Sequence, residues 1–272
     1  MGRIDSSARI ADGARLGSEV EVGPYSVIGP EVEIADGCRI GAHVHIAGVT
    51  RIGPRTAVYP FASLGTPPQS VRYRGGPTRL VIGADCVVRE HVTMNTGSED
   101  GGMETRVGDR CFIMTGAHVA HDCQIGNDVI LVNQVIMGGH CEIGEHAVLS
   151  GGTTLHPFVH IGAYAILGGM TGSIWDIPPF IAALGVPATI RGINAVGMRR
   201  RGFSADAIRT VRAAYKMLFA GEGPPKRRVE DLLQAFPGDP NVTRIVEFVR
   251  GGKRPLLQPS RAGGELADEE EV

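Results

Sequence analysis

Between Gly116 and His140 the chain reads GAHVAHDCQIGNDVILVNQVIMGGH, which brings His118, His121, Asp122 and His140 into one short stretch. An imidazole with an ordinary pKa of about 6.5 can accept a proton from a hydroxyl at neutral pH, so His121 is the candidate general base. In a chain that repeats every 18 residues, His121 lies beneath Gly139, next to His140, and His156 stacks on Gly138. Three imidazoles then share one edge with the backbone of two glycines. Glycine N–H groups can hold a developing oxyanion, and the combination suits acyl transfer. Asp122 could fix the tautomer of the base, although neighbours on a strand point to opposite faces, which weakens that role. No Ser or Cys presents itself as a nucleophile. Cys123 and Cys141 read as packing residues, so direct transfer is preferred to a covalent intermediate.

The elements that must position these groups come from a repeat. Ile10, Leu16, Val22, Ile28, Ile34, Ile40, Ile46, Ile52, Val58 and Leu64 follow one another at intervals of six residues. The ladder resumes at Ile82, Val88 and Met94. It shifts by one residue, then runs from Val107 to Leu167 through Ile113, Val119, Ile125, Leu131, Met137, Ile143, Leu149, Leu155 and Ile161. A period of six fits a short strand plus a turn, with one aliphatic per flat face pointing inward. Three faces close one coil, and stacked coils bury a continuous column. Gly or Ala follows most of the aliphatics, as expected where the chain bends and φ > 0 is needed. The fold class expected is mainly β: a left-handed parallel β-helix followed by a small C-terminal α-helical domain. Eight coils spaced by ~4.8 Å would make a prism roughly 38 Å long.

The prism should span residues 1–187, with loop excursions at 66–79 and 95–106, both rich in Gly, Pro or polar residues. Excursions of this kind often build the binding site of a solenoid, and Arg72, Tyr73 and Arg74 mark the first one for function. From about Ile190 the pattern turns helical, so residues 188–252 form the expected helical domain, with Ser204 as an N-cap. Residues 253–272 end in GGELADEEEV and read as a disordered acidic tail. Ala188 to Gln234 carries ten Lys/Arg against four Asp/Glu, and Arg199, Arg200 and Arg201 are consecutive. That patch suits a phosphate or an acidic protein partner.

The totals exclude several classes. A net charge of −2 gives no reason to expect nucleic acid. The N-terminus MGRIDSSARIADGARLG has no apolar signal segment, and no stretch approaches the ~20 apolar residues of a membrane span. Five cysteines without a CxxC pair read as reduced core residues of a cytoplasmic protein. Two rival readings stay open from the residues alone. His118 and His121, with His140 or His146, could ligate zinc between subunits, although no matching third and fourth ligand is evident. A scaffold without catalysis is the other, against which the loops and the histidine edge argue.

YPFASLG (59–65), RYRGGPTRLVIG (72–83), RVGDRCFIMTGAHVAHDCQIGN (106–127), LGGMTGSIWDIPPF (167–180) and RRRGFSADAIRTVRAAYK (199–216) together resemble one family. It is the acyl-ACP:UDP-N-acetylglucosamine O-acyltransferases, which open lipid A biosynthesis. The resemblance implies a homotrimer with its sites between neighbouring prisms. It implies that His121 deprotonates the sugar 3-hydroxyl, which attacks an acyl thioester on acyl carrier protein. Asp122 supports the base and the Gly139 N–H holds the oxyanion. No cofactor is implied beyond the phosphopantetheine that carries the acyl group on its carrier protein. His140 and His156 become substrate contacts, Arg72 lies near the nucleotide or acyl donor, and Asn194, Arg200 and Arg201 face the nucleotide or carrier protein. Gly169 matches the floor of the acyl groove, where a small residue admits a longer chain. Gln69, Ser70 and His118 complete the substrate-binding candidates. The family pattern is altered at Gln69-Ser70, His156-Pro157-Phe158, Gly185-Val186-Pro187-Ala188 and Val196. An N-acyltransferase acting on a 3-amino sugar nucleotide is therefore an alternative.

Overall fold

The computed structural model describes residues 2–220 and 224–259. Three parallel sheets form the faces of a left-handed β-helical prism. Face one runs over nine strands from Arg9–Ile10 to Gly172–Ser173, and face two over eight from Arg15–Leu16 to His160–Ile161. Face three begins at Glu21–Val22 and ends at Ile181–Leu184, to which Thr189–Ile193 adds one antiparallel strand. Two faces thus carry nine parallel strands where the sequence suggested eight coils.

Each two-residue strand points its first side chain outward and its second into the prism. Val119, Ile125 and Leu131 are successive inward residues on faces one, two and three, each at most 3 % exposed. Each such burial contributes roughly 1.5–3 kcal/mol, and the column they form is the core. The lateral register is 18 residues, as in His118 beside Ile136 and Ile136 beside Thr154. The excursions leave this register intact: Val49 pairs with Arg79 and Arg79 with Glu104. The second excursion is shorter than expected, because Glu104–Val107 is already strand and lies along Arg79–Ile82.

Most glycines after the aliphatics answer to space rather than to backbone sign, Gly65 (φ 74°) being an exception. A Cβ on Gly53 would lie 2.5 Å from the carbonyl carbon of Gly83, and one on Gly23 would lie 2.8 Å from that of Gly41. The left-handed conformation falls two residues later, on Tyr25 (φ 58°) and Arg55 (φ 58°), and such residues recur at the corners along the prism. Small residues beside them brace successive coils: Cys123 Sγ donates to Gly138 O (3.3 Å) and Cys141 Sγ to His156 O (3.4 Å).

Helical structure starts later than residue 188, because Thr189–Ile193 first closes a hairpin on face three. The helices are α1 (Ala195–Arg200), α2 (Ala205–Phe219), α3 (Val229–Ala235) and α4 (Pro240–Gly251). Ser204 caps α2 by accepting from Ala207 N (3.1 Å). Tyr215 is fully buried and donates its hydroxyl to Pro179 O (2.6 Å), pinning α2 to the prism end. No helix among the described residues is long and apolar enough to cross a membrane. After α4 the chain turns back instead of leaving the fold: Leu256 bridges to Asp176, Pro259 to Ile190, and Leu257 is buried. The expected tail therefore begins no earlier than residue 260. Its acidic run lies outside the described residues.

Candidate active site

His121 and Asp122 occupy the corner between strands His118–Val119 and Gln124–Ile125, so the alternation of a strand does not govern them. Asp122 is left-handed (φ 60°), which swings its carboxylate back alongside its neighbour. The His121 Nδ1–H donates to Asp122 Oδ2 at 2.8 Å. A carboxylate only accepts, so Nδ1 carries the proton and Nε2 keeps a free lone pair, the state a general base needs. The sequence argument that set these two residues on opposite faces is corrected by the corner.

The second loop seals the carboxylate. Ser98 donates both its N–H (3.0 Å to Oδ1) and its hydroxyl (2.5 Å to Oδ2), and the Asp122 side chain is 2 % exposed. Gly101 presses on the same group, since a Cβ there would lie 2.3 Å from Asp122 Cγ. Burial opposes ionisation of Asp122, but the hydrogen bonds from His121 and Ser98 outweigh it and hold the carboxyl below its ordinary value. Glu99 then ties the second loop to the first, accepting from Gly76 N (2.6 Å) and Arg74 N (3.1 Å).

Above the dyad, Gly139 lies against the ring: a Cβ would sit 2.7 Å from His121 Nε2. The Gly139 N–H has no acceptor among the described residues. An imidazole and a backbone N–H thus lie side by side on stacked coils, an arrangement able to take up a proton next to a forming oxyanion. His140 meets His121 edge to face at 5.0 Å and stacks on Phe158 at 4.3 Å. Burial lowers the pKa of His140 and the Asp122 charge pulls against that. His121, Asp122 and His140 offer three possible metal ligands within 4.8 Å, the one such group among the described residues. The Asp122 oxygens are, however, already engaged by N–H and O–H donors, which fits a carboxylate–imidazole dyad better than a cation site.

Ser70, Arg72, Tyr73, Pro157 and Phe158 complete a cleft of about 230 Å³ over this point. Gln69 is exposed and does not line it. His118 stands to one side, hydrogen-bonded through Nδ1 to Thr93 Oγ1 (2.7 Å), and its pKa is lowered by burial and then by His121. His156 does not join the pair as the spacing suggested: its Nδ1 faces Arg254 Nη2 at 2.9 Å. Asn194 caps α1 by accepting from Gly197 N (2.9 Å) and donates to Tyr164 O (2.8 Å). Arg200 and Arg201 are exposed on α1 and at its end. Gly169 is an exposed turn residue where a Cβ meets only Gly151 O at 3.6 Å. None of these four lines the cleft of its own chain. Ser98, Glu99 and Arg254 were not singled out from sequence. The loop SED carries no periodic signal, and Arg254 follows the last helix.

A stacked-coil prism with an imidazole–carboxylate dyad facing a free backbone N–H defines an acyltransferase of the hexapeptide-repeat class. The family model for bacterial transferase hexapeptides (six repeats) matches residues 13–48 and 104–139, and that for domain 2 of UDP-N-acetylglucosamine O-acyltransferases matches residues 176–257. An acyl-[acyl-carrier-protein]–UDP-N-acetylglucosamine O-acyltransferase of Azorhizobium caulinodans is 52% identical over 98% of both chains. One from Thermodesulfovibrio yellowstonii is 40% identical over 95% of this chain and 100% of its own. The solved UDP-N-acetylglucosamine acyltransferase of Campylobacter jejuni superposes with a TM-score of 0.90 at 35% identity, covering 95% of this chain and 100% of that one. The chain belongs to the acyl-[acyl-carrier-protein]–UDP-N-acetylglucosamine O-acyltransferase family.

Proposed function

We propose that this enzyme transfers a 3-hydroxyacyl group from acyl carrier protein to the 3-hydroxyl of UDP-N-acetylglucosamine, the step that opens lipid A biosynthesis. The observation that carries the reading is the His121–Asp122 dyad set against the Gly139 N–H. His121 Nε2 takes the hydroxyl proton as the sugar oxygen attacks the thioester carbonyl. Asp122 stabilises the imidazolium that forms, and the Gly139 N–H holds the tetrahedral oxyanion. Collapse expels the pantetheine thiolate, which His121 reprotonates. Arg72, Ser70 and His140 line the cleft and are the substrate contacts nearest the chemistry.

The site is completed between copies in a homotrimer. A cleft of about 230 Å³ is smaller than the roughly 300–1,000 Å³ of ordinary ligand sites. Phe112, Ile130, Val148 and Ile166 stand in register on the outside of face three, a hydrophobic strip suited to a neighbouring prism. In that assembly Asn194, Arg200, Arg201 and Gly169 serve a neighbour's cleft. The test is transfer by purified protein from 3-hydroxyacyl carrier protein to UDP-N-acetylglucosamine or its 3-amino analogue, with His121→Ala as control. Turnover of the hydroxyl sugar, lost in the variant, supports the reading. Turnover of the amino sugar alone moves the reaction to amide formation, and no transfer to either acceptor overturns it.

A further inference from the structure

The segment after α4 reaches the catalytic edge. Arg254 is held there by backbone and side chain: its N–H donates to Asp176 Oδ2 (3.2 Å), Nη1 to Ile174 O (3.0 Å) and Nη2 to His156 Nδ1 (2.9 Å). Asp176 is 1 % exposed and also accepts from His160 N (2.8 Å), so it ties the segment to the prism. The neighbouring Lys253 is exposed. His156 directly precedes Pro157 and Phe158, which line the cleft.

The contact with His156 has a chemical consequence. A guanidinium only donates, so Nδ1 must be the acceptor and the ring proton must sit on Nε2. The same Nδ1 lies 3.1 Å from Pro157 O, a carbonyl that would bond it only if Nδ1 carried the proton. Two partners therefore demand opposite tautomers, and the guanidinium decides between them.

We propose that Arg254 is a positioning residue of the transfer reaction, holding His156 as the Nε2–H tautomer so that the exposed ring presents a donor to a substrate oxygen. This rests on the reading of His156 as a substrate contact. Removing the guanidinium hands Nδ1 to Pro157 O, moves the proton and turns the outer nitrogen from donor to acceptor. Arg254 needs no contact with substrate to act in this way.

The full-length enzyme with ring-15N histidine tests this by solid-state NMR, His156 being assigned by its loss in His156→Gln. Wild type should show Nε2 protonated and Arg254→Ala should show Nδ1 protonated, while Arg254→Lys, which keeps a donor, retains the first form. In the transfer assay Arg254→Ala and His156→Ala should each lower kcat/KM by roughly tenfold, the double variant should be no worse than either, and guanidinium salt should restore part of the Arg254→Ala loss. An unchanged tautomer in Arg254→Ala overturns the proposal, as does a double variant whose losses multiply. Full activity in His156→Ala would instead remove the substrate role of His156, and an inactive wild type would remove the transfer reading itself. Melting of Arg254→Ala near wild type separates the effect from general loosening.

Discussion

Two corners of the prism carry the same pair of residues in the same backbone. At one, Asp122 (φ 60°) lies 3.8 Å from His140 (φ 62°) one coil above, and at the next Asp128 (φ 58°) lies 3.8 Å from His146 (φ 61°). Their surroundings differ. Asp128 pairs with Arg110 (2.8 Å), keeps 24 % of its side chain exposed, and has a charged neighbour to satisfy it. Asp122 is 2 % exposed, covered by Ser98 and Gly101, and its partner is an imidazole. A left-handed corner with Asp and His is thus a generic product of the repeat. What sets one copy apart is a loop that covers its carboxylate and an imidazole beside it, the two features on which the proposed reaction draws.

The sharpest break of this comparison is His121→Ala against His146→Ala. The first should lower kcat about a thousandfold and the second less than about threefold, both measured by initial rates. Asp122→Asn against Asp128→Asn comes next: a loss of about a hundredfold or more is expected only at the sealed corner, where the amide would favour the wrong imidazole tautomer. Gly139→Ala forces the His121 ring aside and should cost about a hundredfold in kcat with an unchanged fold by circular dichroism, whereas Gly126 has no base beneath it. Ser98→Ala, which uncovers Asp122 without touching the base, should cost about tenfold. The smallest effect is acid sensitivity. The folded pKa of Asp122 lies below its ordinary 3.8, so its stabilisation is full above that value and fades as pH falls through the lower folded one. Asp122→Asn should therefore lose part of the acid limb of a melting-temperature profile, and equal limbs in both proteins would show that the seal adds nothing.

The prism was legible because a six-residue period in Ile, Leu and Val has no other economical reading. Its corners were less so. Gly53 suggested positive φ, yet the constraint at that residue is the backbone of Gly83 in the next coil, and Arg55 takes the left-handed turn. His121, Gly139 and His140 could be brought together from the 18-residue stacking alone. Asp122 was undervalued because strand alternation was extended to a turn. Ser98 could not be found, since its bond to Asp122 spans 24 residues and depends on how an aperiodic loop folds. Arg254 was hidden in a stretch whose composition resembles a tail, and only its return to Asp176 and His156 gives it a place.

The register across the excursions sets rules for gain and loss of sequence. Arg79–Ile82 lies residue for residue along Val49–Ile52 although twelve extra residues intervene, and Glu104–Val107 follows with seven. Within the coils a single inserted residue would turn an aliphatic outward and an outward charge inward, so length there changes only by whole steps. At these two exits the prism itself sets no length, provided the chain comes back at the same strand. Insertions and deletions among descendants of this sequence should therefore collect at the exits, and in the second one at positions that leave Ser98 and Gly101 seated on Asp122.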